Sequence, residues 1–429
     1  MSERPHIVIV GAGFGGLAAA QALDGAPLRI TVVDRRNHHL CQPLLYQVAT
    51  AGLSPHQIAA PIRSVLRDQP NVSVVLGEVT GVDLPRREVV LDGGRIPFDH
   101  LIIATGARHS YFGNDAWEAY APGLKTLQDA LDIRKRVLLA FERAELSADP
   151  AEQRRLLTFA VIGGGPTGVE MAGVMAELSR LALARDFRRI NPRQARILLV
   201  EAGQRILPAF SERLSAYAAM ELGRLGVEVL NGRMVKAVDV ECIQVGDERI
   251  PAATVVWAAG VTASPAAVWL GAPHDRAGRI ATTSELTIEG LPDTVFVIGD
   301  TAAVTDPKGG PLPGLAPVAK QQGQYVAKVI RARLAGKPHP GPFRYRDYGH
   351  LATIGRGAAV IDFKRVRLTG FTAWVLWTLA HIYYLIGFRN RLGVFVDWLW
   401  SYVTLQRGAR LIPEERPMTP DNRIPALAA

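Results

Sequence analysis

The sequence predicts an α/β fold in which one strand–turn–helix–strand unit is built twice, followed by an aromatic C-terminal region of different texture. Three observations predict it. The short β-branched run His6–Val10 leads into the turn Gly11-Ala12-Gly13-Phe14-Gly15-Gly16 and then an Ala-rich helical stretch over residues 17–22. The same order returns with a strand over residues 159–162, the turn Gly163-Gly164-Gly165-Pro166-Thr167-Gly168 and a helix over residues 169–180. From Phe371 the chain becomes apolar and rich in tryptophan and tyrosine.

The elements follow in matching pairs. In the first unit the next strand, residues 30–33, ends in Asp34; in the second, residues 197–200 end in Glu201. Each unit closes with an apolar strand and a small-residue turn. These are Leu101-Ile102-Ile103-Ala104-Thr105-Gly106 and Val255-Val256-Trp257-Ala258-Ala259-Gly260. A further strand, residues 295–298, runs into Gly299-Asp300, and a helical stretch, Ala316–Leu334, follows. Pro338, Pro340 and Pro342 mark a linker, after which residues 351–354 and 358–363 read as short strands.

Composition narrows the function classes. A chain of 429 residues, 48 % hydrophobic and 21 % charged, is long enough for several domains or one large α/β assembly. Its two cysteines, Cys41 and Cys242, stand far apart, which argues against a disulfide scaffold or a zinc cluster and fits a reducing compartment. No metal site is expected. The first strand begins at once, leaving no room for a signal or transit peptide. The net charge is +9, and twelve basic residues against six acidic ones lie from Gly341 onward. Those arginines flank long apolar blocks and form no polar basic face, so nucleic acid is not expected as a partner.

The two turns carry the chemistry. In G-x-G-x-x-G the first glycine permits the tight turn, the second lets backbone approach a pyrophosphate, and the third lets helix and strand pack closely. Gly11, Gly13 and Gly16 fit, as do Gly163, Gly165 and Gly168. The helix N-terminus then offers free N–H groups to the phosphates. Both units therefore read as Rossmann-type dinucleotide sites. Asp34 and Glu201 are placed to accept ribose hydroxyls; the plainer alternative is that each caps a loop. An acid at Glu201 repels a 2′-phosphate and argues for NADH over NADPH, although nearby Arg205 weakens that exclusion. Two facing dinucleotides allow hydride transfer from nicotinamide to a flavin, and such chemistry needs no metal or nucleophile. Thr105, Gly106 and Asp300 are expected against the flavin nucleotide, Asp300 at the ribityl chain or as a helix cap. The helix beginning near Leu315 would aim its dipole at the flavin pyrimidine.

The sequence resembles the two-dinucleotide-binding-domain flavoproteins and, more narrowly, the type II NADH:quinone oxidoreductases. Four blocks carry the resemblance besides the first turn. They are Asn37-His38-His39-Leu40-Cys41-Gln42-Pro43-Leu44-Leu45-Tyr46-Gln47-Val48-Ala49, residues 163–170, Val297-Ile298-Gly299-Asp300 and Ala319-Lys320-Gln321-Gln322-Gly323. The resemblance implies non-covalent FAD reduced by NADH, electron delivery to a membrane quinone, and no proton pumping. It places Glu170 near flavin, nicotinamide and quinone, and Gln321 in the quinone-site helix. Pro317 stands where many members have a glutamine, which puts that quinone contact in doubt. The division expected is residues 1–115 for FAD, 116–262 for NADH, 263–340 for FAD again, and 341–429 for membrane attachment. The implied place is the cytoplasmic face of a prokaryotic inner membrane, as a peripheral protein.

The tail fits that expectation. Residues 371–388 contain no Lys, Arg, Asp or Glu, and four of the seven tryptophans lie beyond residue 371. Eighteen uncharged residues with aromatics spread throughout are marginal for a membrane span. A pair of interfacial amphipathic helices, held by arginines to an anionic lipid surface, fits better. A buried core helix or a homodimer contact is the competing reading of the same segment. Among other activities, a soluble peroxidase or oxidase would use Cys41 as a redox thiol. A sulfide:quinone oxidoreductase needs two cysteines near the flavin, and a membrane-surface redox sensor needs no turnover.

Overall fold

The computed structural model describes residues 4–306, 309–404 and 407–412. Two parallel sheets organise it. The first runs Val295–Val297, His100–Ile103, His6–Val10, Arg29–Asp34, Val72–Leu76, every neighbour parallel. The second runs Val227–Asn231, Arg196–Glu201, Thr158–Ile162, Thr254–Trp257, again all parallel. In both, the strand preceding the glycine turn lies inside the sheet and is fully buried, which is why these runs are apolar without alternation.

The duplication extends to single hydrogen bonds. Gly11 N–H donates to the Val33 carbonyl at 2.8 Å, and Gly163 N–H donates to that of Val200 at 2.8 Å. Ala104 N–H donates to Val10, and Ala258 N–H to Ile162. Each unit also carries a three-stranded antiparallel meander that the hydrophobic pattern did not announce. These are Val79–Asp83, Glu88–Leu91, Gly94–Pro97 and Val235–Val238, Cys242–Val245, Glu248–Pro251. The strands Ala107–His109 and Val261–Ala263 pair antiparallel and form the two chain crossings between the units.

The helix Ala316–Leu334 returns to the first unit and lies along the helix Phe14–Ala22. At Gly323 a Cβ would overlap the Gly15 carbonyl, so the contact depends on glycine. Between the units runs Leu127–Leu146, started by a capping box of Thr126 and Asp129.

The C-terminal region is a three-stranded antiparallel sheet, His350–Gly355, Ala358–Asp362 and Arg367–Thr369, followed by two helices. The uncharged run does not form one rod. It forms the helix Gly370–Tyr384, breaks at Gly387 with φ +87°, and continues as Phe388–Thr404. Among the described residues no helix is long and apolar enough to cross a membrane. The sheet packs on the helix Pro166–Glu177 of the second unit, where Gly173 gives way to the Ile354 carbonyl. Ala373, Trp377, Leu385 and Val394 are buried in the core beneath. The opposite face stays uncovered: Phe371, Leu379, Tyr383, Phe388, Leu392, Phe395, Leu399, Trp400 and Val403 are exposed.

Candidate active site

Parallel strands deliver their C-terminal ends to one edge, and that edge is where both sites form. In the first unit it gathers Gly11, Asp34, the turn at Thr105 and Gly106, and Gly299-Asp300. In the second it gathers Gly163, Glu201 and the turn at Ala258.

The space around the glycines tests whether a dinucleotide fits. Gly11 and Gly163 have φ of +100° and +110°, and a Cβ on either would overlap the neighbouring closing turn. Gly16 and Gly168 each press on the carbonyl of the first glycine of their turn. At Gly13 and Gly165 the opposite holds: no heavy atom lies within 4 Å of the place a Cβ would take. The middle glycine of each turn thus faces open space at an uncapped helix N-terminus, which is what a pyrophosphate requires.

The two acids occupy equivalent positions. Asp34 accepts from Ala12 N–H at 2.7 Å and Arg36 N–H at 2.8 Å. Glu201 accepts from Gly164 N–H at 2.5 Å and Gly203 N–H at 2.6 Å. Both carboxylates are held against their glycine turns by backbone donors. Arg205 is turned away: its guanidinium donates to the carbonyls of Leu207, Pro208 and Phe210.

Around the first site the sequence reading was incomplete. The Thr105 hydroxyl lies 2.5 Å from that of Ser264 and 3.1 Å from that of Thr301. Asp300 lies 3.9 Å from the Lys125 ammonium, which comes from just before the helix Leu127–Leu146. Gln322, rather than Gln321, faces the turn, accepting from Gly299 N–H at 2.6 Å from a fully buried position. Helical phase identifies it, because Ala319, Gln322, Gly323 and Val326 form the buried stripe. Gln321 faces the other way. Its amide donates to the Arg346 carbonyl at 3.0 Å and accepts from the Arg346 N–H at 2.9 Å. Pro317 sits in the first turn of this helix, which forms without disruption.

Glu170 sits where three parts of the molecule meet. It lies in the first turns of Pro166–Glu177 and is buried. The C-terminal sheet offers it the Thr353 N–H at 3.3 Å, and the C-terminal helix places the Trp377 indole beside it. The short helix Leu45–Ala49 of the first unit brings Tyr46 near. Burial pushes the Glu170 carboxyl up to about 8, against the opposing pull of the Thr353 amide and the Trp377 indole. With its value near 8 the carboxyl is mostly protonated at neutral pH.

The cysteines do not support the thiol readings. Cys41 is buried, and burial pushes its thiol up to about 12, so no thiolate is available. Cys242 is buried on the second unit's meander, outside the core cluster that holds Cys41.

Comparison with known proteins agrees with this geometry. Residues 5–323 match the pyridine nucleotide-disulphide oxidoreductase family, and residues 348–404 match the NDH2 C-terminal domain. The chain is 44 % identical over 430 residues to a type II NADH:quinone oxidoreductase of Mycobacterium tuberculosis, covering 96 % of this chain and 91 % of that one. This chain belongs to the type II NADH:quinone oxidoreductases. A second Mycobacterium tuberculosis member of the family is 43 % identical, covering 96 % and 90 %. The fold matches NDH2 of Plasmodium falciparum in complex with NADH, with a TM-score of 0.88 at 21 % identity and coverage of 96 % and 100 %. The protein is accordingly an NADH dehydrogenase of the non-pumping, single-subunit type, using FAD and NADH.

Proposed function

We propose that NADH is held at residues 163–168 with Glu201 on its ribose, and FAD at residues 11–16 with Asp34, Thr105, Gly106 and Asp300 around it. The open space at Gly13 and Gly165 supports this assignment. Bound FAD supplies the two-electron relay between NADH and quinone. The net reaction, NADH + H⁺ + quinone → NAD⁺ + quinol, takes one proton from solution. Glu170 holds that proton at its carboxyl, and the single observation that carries this role is its burial at the junction of both units and the C-terminal region. Gln321 braces the chain at Arg346, fixing the segment that leads to the C-terminal sheet along the approach of the quinone.

The quinone is a lipid-dissolved one, and the exposed apolar face of the two C-terminal helices is the surface that meets the bilayer. Arg389 and Arg391 lie exposed among those side chains, the arrangement that suits anionic headgroups. The enzyme then lies peripherally on the cytoplasmic face of a prokaryotic membrane, where NADH is available.

The test compares wild type with Leu379→Glu/Phe395→Glu/Leu399→Glu, all three at exposed positions. The variant is expected to stop co-sedimenting with anionic vesicles and to lose turnover with vesicle-borne quinone, yet to reduce a water-soluble quinone. Undiminished sedimentation would rule out this face as the anchor.

A further inference from the structure

A chain of hydrogen bonds runs from the last helix to Tyr46, the buried phenol whose field includes Glu170. Trp398, on the helix Phe388–Thr404, donates its indole N–H to Gln47 Oε1 at 2.7 Å. Gln47 Nε2 donates in turn to the Tyr46 hydroxyl oxygen at 3.1 Å. The neighbouring Asp397 accepts from Gln57 Nε2 at 2.5 Å, so two adjacent residues of this helix are tied to glutamines of the first unit.

The direction of the chain follows from its first member. An indole N–H can only donate, so the amide oxygen of Gln47 must face Trp398 and its NH₂ must face Tyr46. The Tyr46 oxygen is then an acceptor toward Gln47, and its own hydrogen points elsewhere. Tyr46 is 2 % exposed, so bulk water does not take that hydrogen. The charged and titratable groups acting on it are Glu170 and Glu177 from the helix Pro166–Glu177 and Arg407 from beyond the last helix. Glu177 is already engaged by Arg407 at 3.2 Å and by the Arg356 N–H. Glu170 is the acid with acceptor capacity to spare, with the Thr353 N–H at 3.3 Å and the Trp377 indole beside it. His381 stacks on Trp377 at 3.9 Å, and burial holds it neutral down to about 4.

We propose that Trp398, Gln47 and Tyr46 form a positioning relay in which Tyr46 supports the ionised state of Glu170 and the docked C-terminal helix sets the relay's polarity. The inference rests on the proton-holding role given to Glu170 above. When Glu170 gives its proton to the reduced quinone, the carboxylate left behind is buried, and the Tyr46 hydroxyl turns its free hydrogen to it, in addition to the Thr353 amide and the Trp377 indole, until solution returns a proton. Tyr46 keeps its own proton throughout, because burial and the nearby acids push its phenol far above the usual range. Atoms balance without it: one proton leaves Glu170, one returns, and Tyr46 contributes only a hydrogen bond. Removing a donor from a carboxylate raises its pKa, so the sign of the effect is defined.

The experiment is the pH profile of NADH:quinone turnover, with flavin content and thermal unfolding checked for each variant. Tyr46→Phe and Trp398→Phe keep the rings and delete one donor each. Both are expected to move the alkaline limb to higher pH and to lower turnover, Tyr46→Phe by about tenfold and Trp398→Phe by less, the size of one lost hydrogen bond to a charged group. The double variant is expected to behave as Tyr46→Phe alone, since the two act in series. An alkaline limb that stays in place or moves down in Tyr46→Phe overturns the proposal, as does a Trp398→Phe effect undiminished in the Tyr46→Phe background. Glu170→Gln separates the two ideas. If it removes the limb while Tyr46→Phe does nothing, only the relay fails; if the limb survives Glu170→Gln, the role of Glu170 fails and the relay with it.

Discussion

Arg407 and Glu177 meet at 3.2 Å as an ion pair whose side chains are only 9 % and 10 % exposed. Arg407 also donates to the Thr50 carbonyl, and Glu177 also accepts from the Arg356 N–H. One pair thus joins the segment after the last helix, the first unit, the second unit's helix and the C-terminal sheet. Burial pushes Glu177 up and Arg407 down, so neither charge is comfortable without the other.

Breaking a buried pair from one side strands the remaining charge, at a cost of about 3–5 kcal/mol. Arg407→Met should therefore lower the unfolding midpoint and expose the last helix to proteolysis. Adding Glu177→Gln to it should recover much of the loss. Limited proteolysis and thermal unfolding of the two variants check both statements.

Glu170 gives the stability a pH dependence of known sign. Its folded value, about 8, lies above the ordinary 4.5, so the folded state binds the proton more tightly. The stability that this confers is complete below about 4.5, declines as pH rises, and is gone above about 8. Glu170→Gln should flatten the fall in unfolding temperature across that window and be the more stable protein at its alkaline end. A decline as steep in Glu170→Gln as in wild type would place its origin elsewhere.

Within the second turn two glycines should respond differently to the same change. A Cβ at Gly165 meets nothing, so Gly165→Ala should fold normally and raise the KM for NADH by about tenfold, ~1.4 kcal/mol of binding. A Cβ at Gly163 overlaps Ala258 at a φ of +110°, so Gly163→Ala should express poorly or unfold early. Glu201→Arg should also raise the NADH KM. Because Arg205 is spent on three carbonyls, wild type should discriminate against NADPH. Steady-state kinetics with both nucleotides measure all of this.

Much of this architecture was legible because it repeats. Strand, glycine turn, helix and terminal acid leave local signals, and both copies are found where residues 6–34 and 159–201 place them. The long helix Leu127–Leu146 and the two meanders were missed, since their apolar positions are shared with neighbours that only the fold supplies. Residues that act across long separations were equally silent. Lys125 near Asp300, Ser264 on Thr105 and Trp398 on Gln47 belong to contacts between 159 and 351 positions apart. The tail reads from sequence as a region for membrane attachment. In the fold Trp377 and Val394 are also part of the core, so deletion after Gly370 would uncover apolar interior as well as remove the outer face. Substituting exposed side chains is the cleaner test of that face.

The central claim is that two dinucleotide sites in one chain pass electrons from NADH through a bound flavin to a quinone. Its most direct test is the visible absorption spectrum of the purified protein, recorded in sequence without additions, after NADH under anaerobic conditions, and after quinone. The account predicts a flavin band that is present at the start, bleaches with NADH and returns with quinone. A colourless protein, or a flavin band that NADH leaves unchanged, would contradict it.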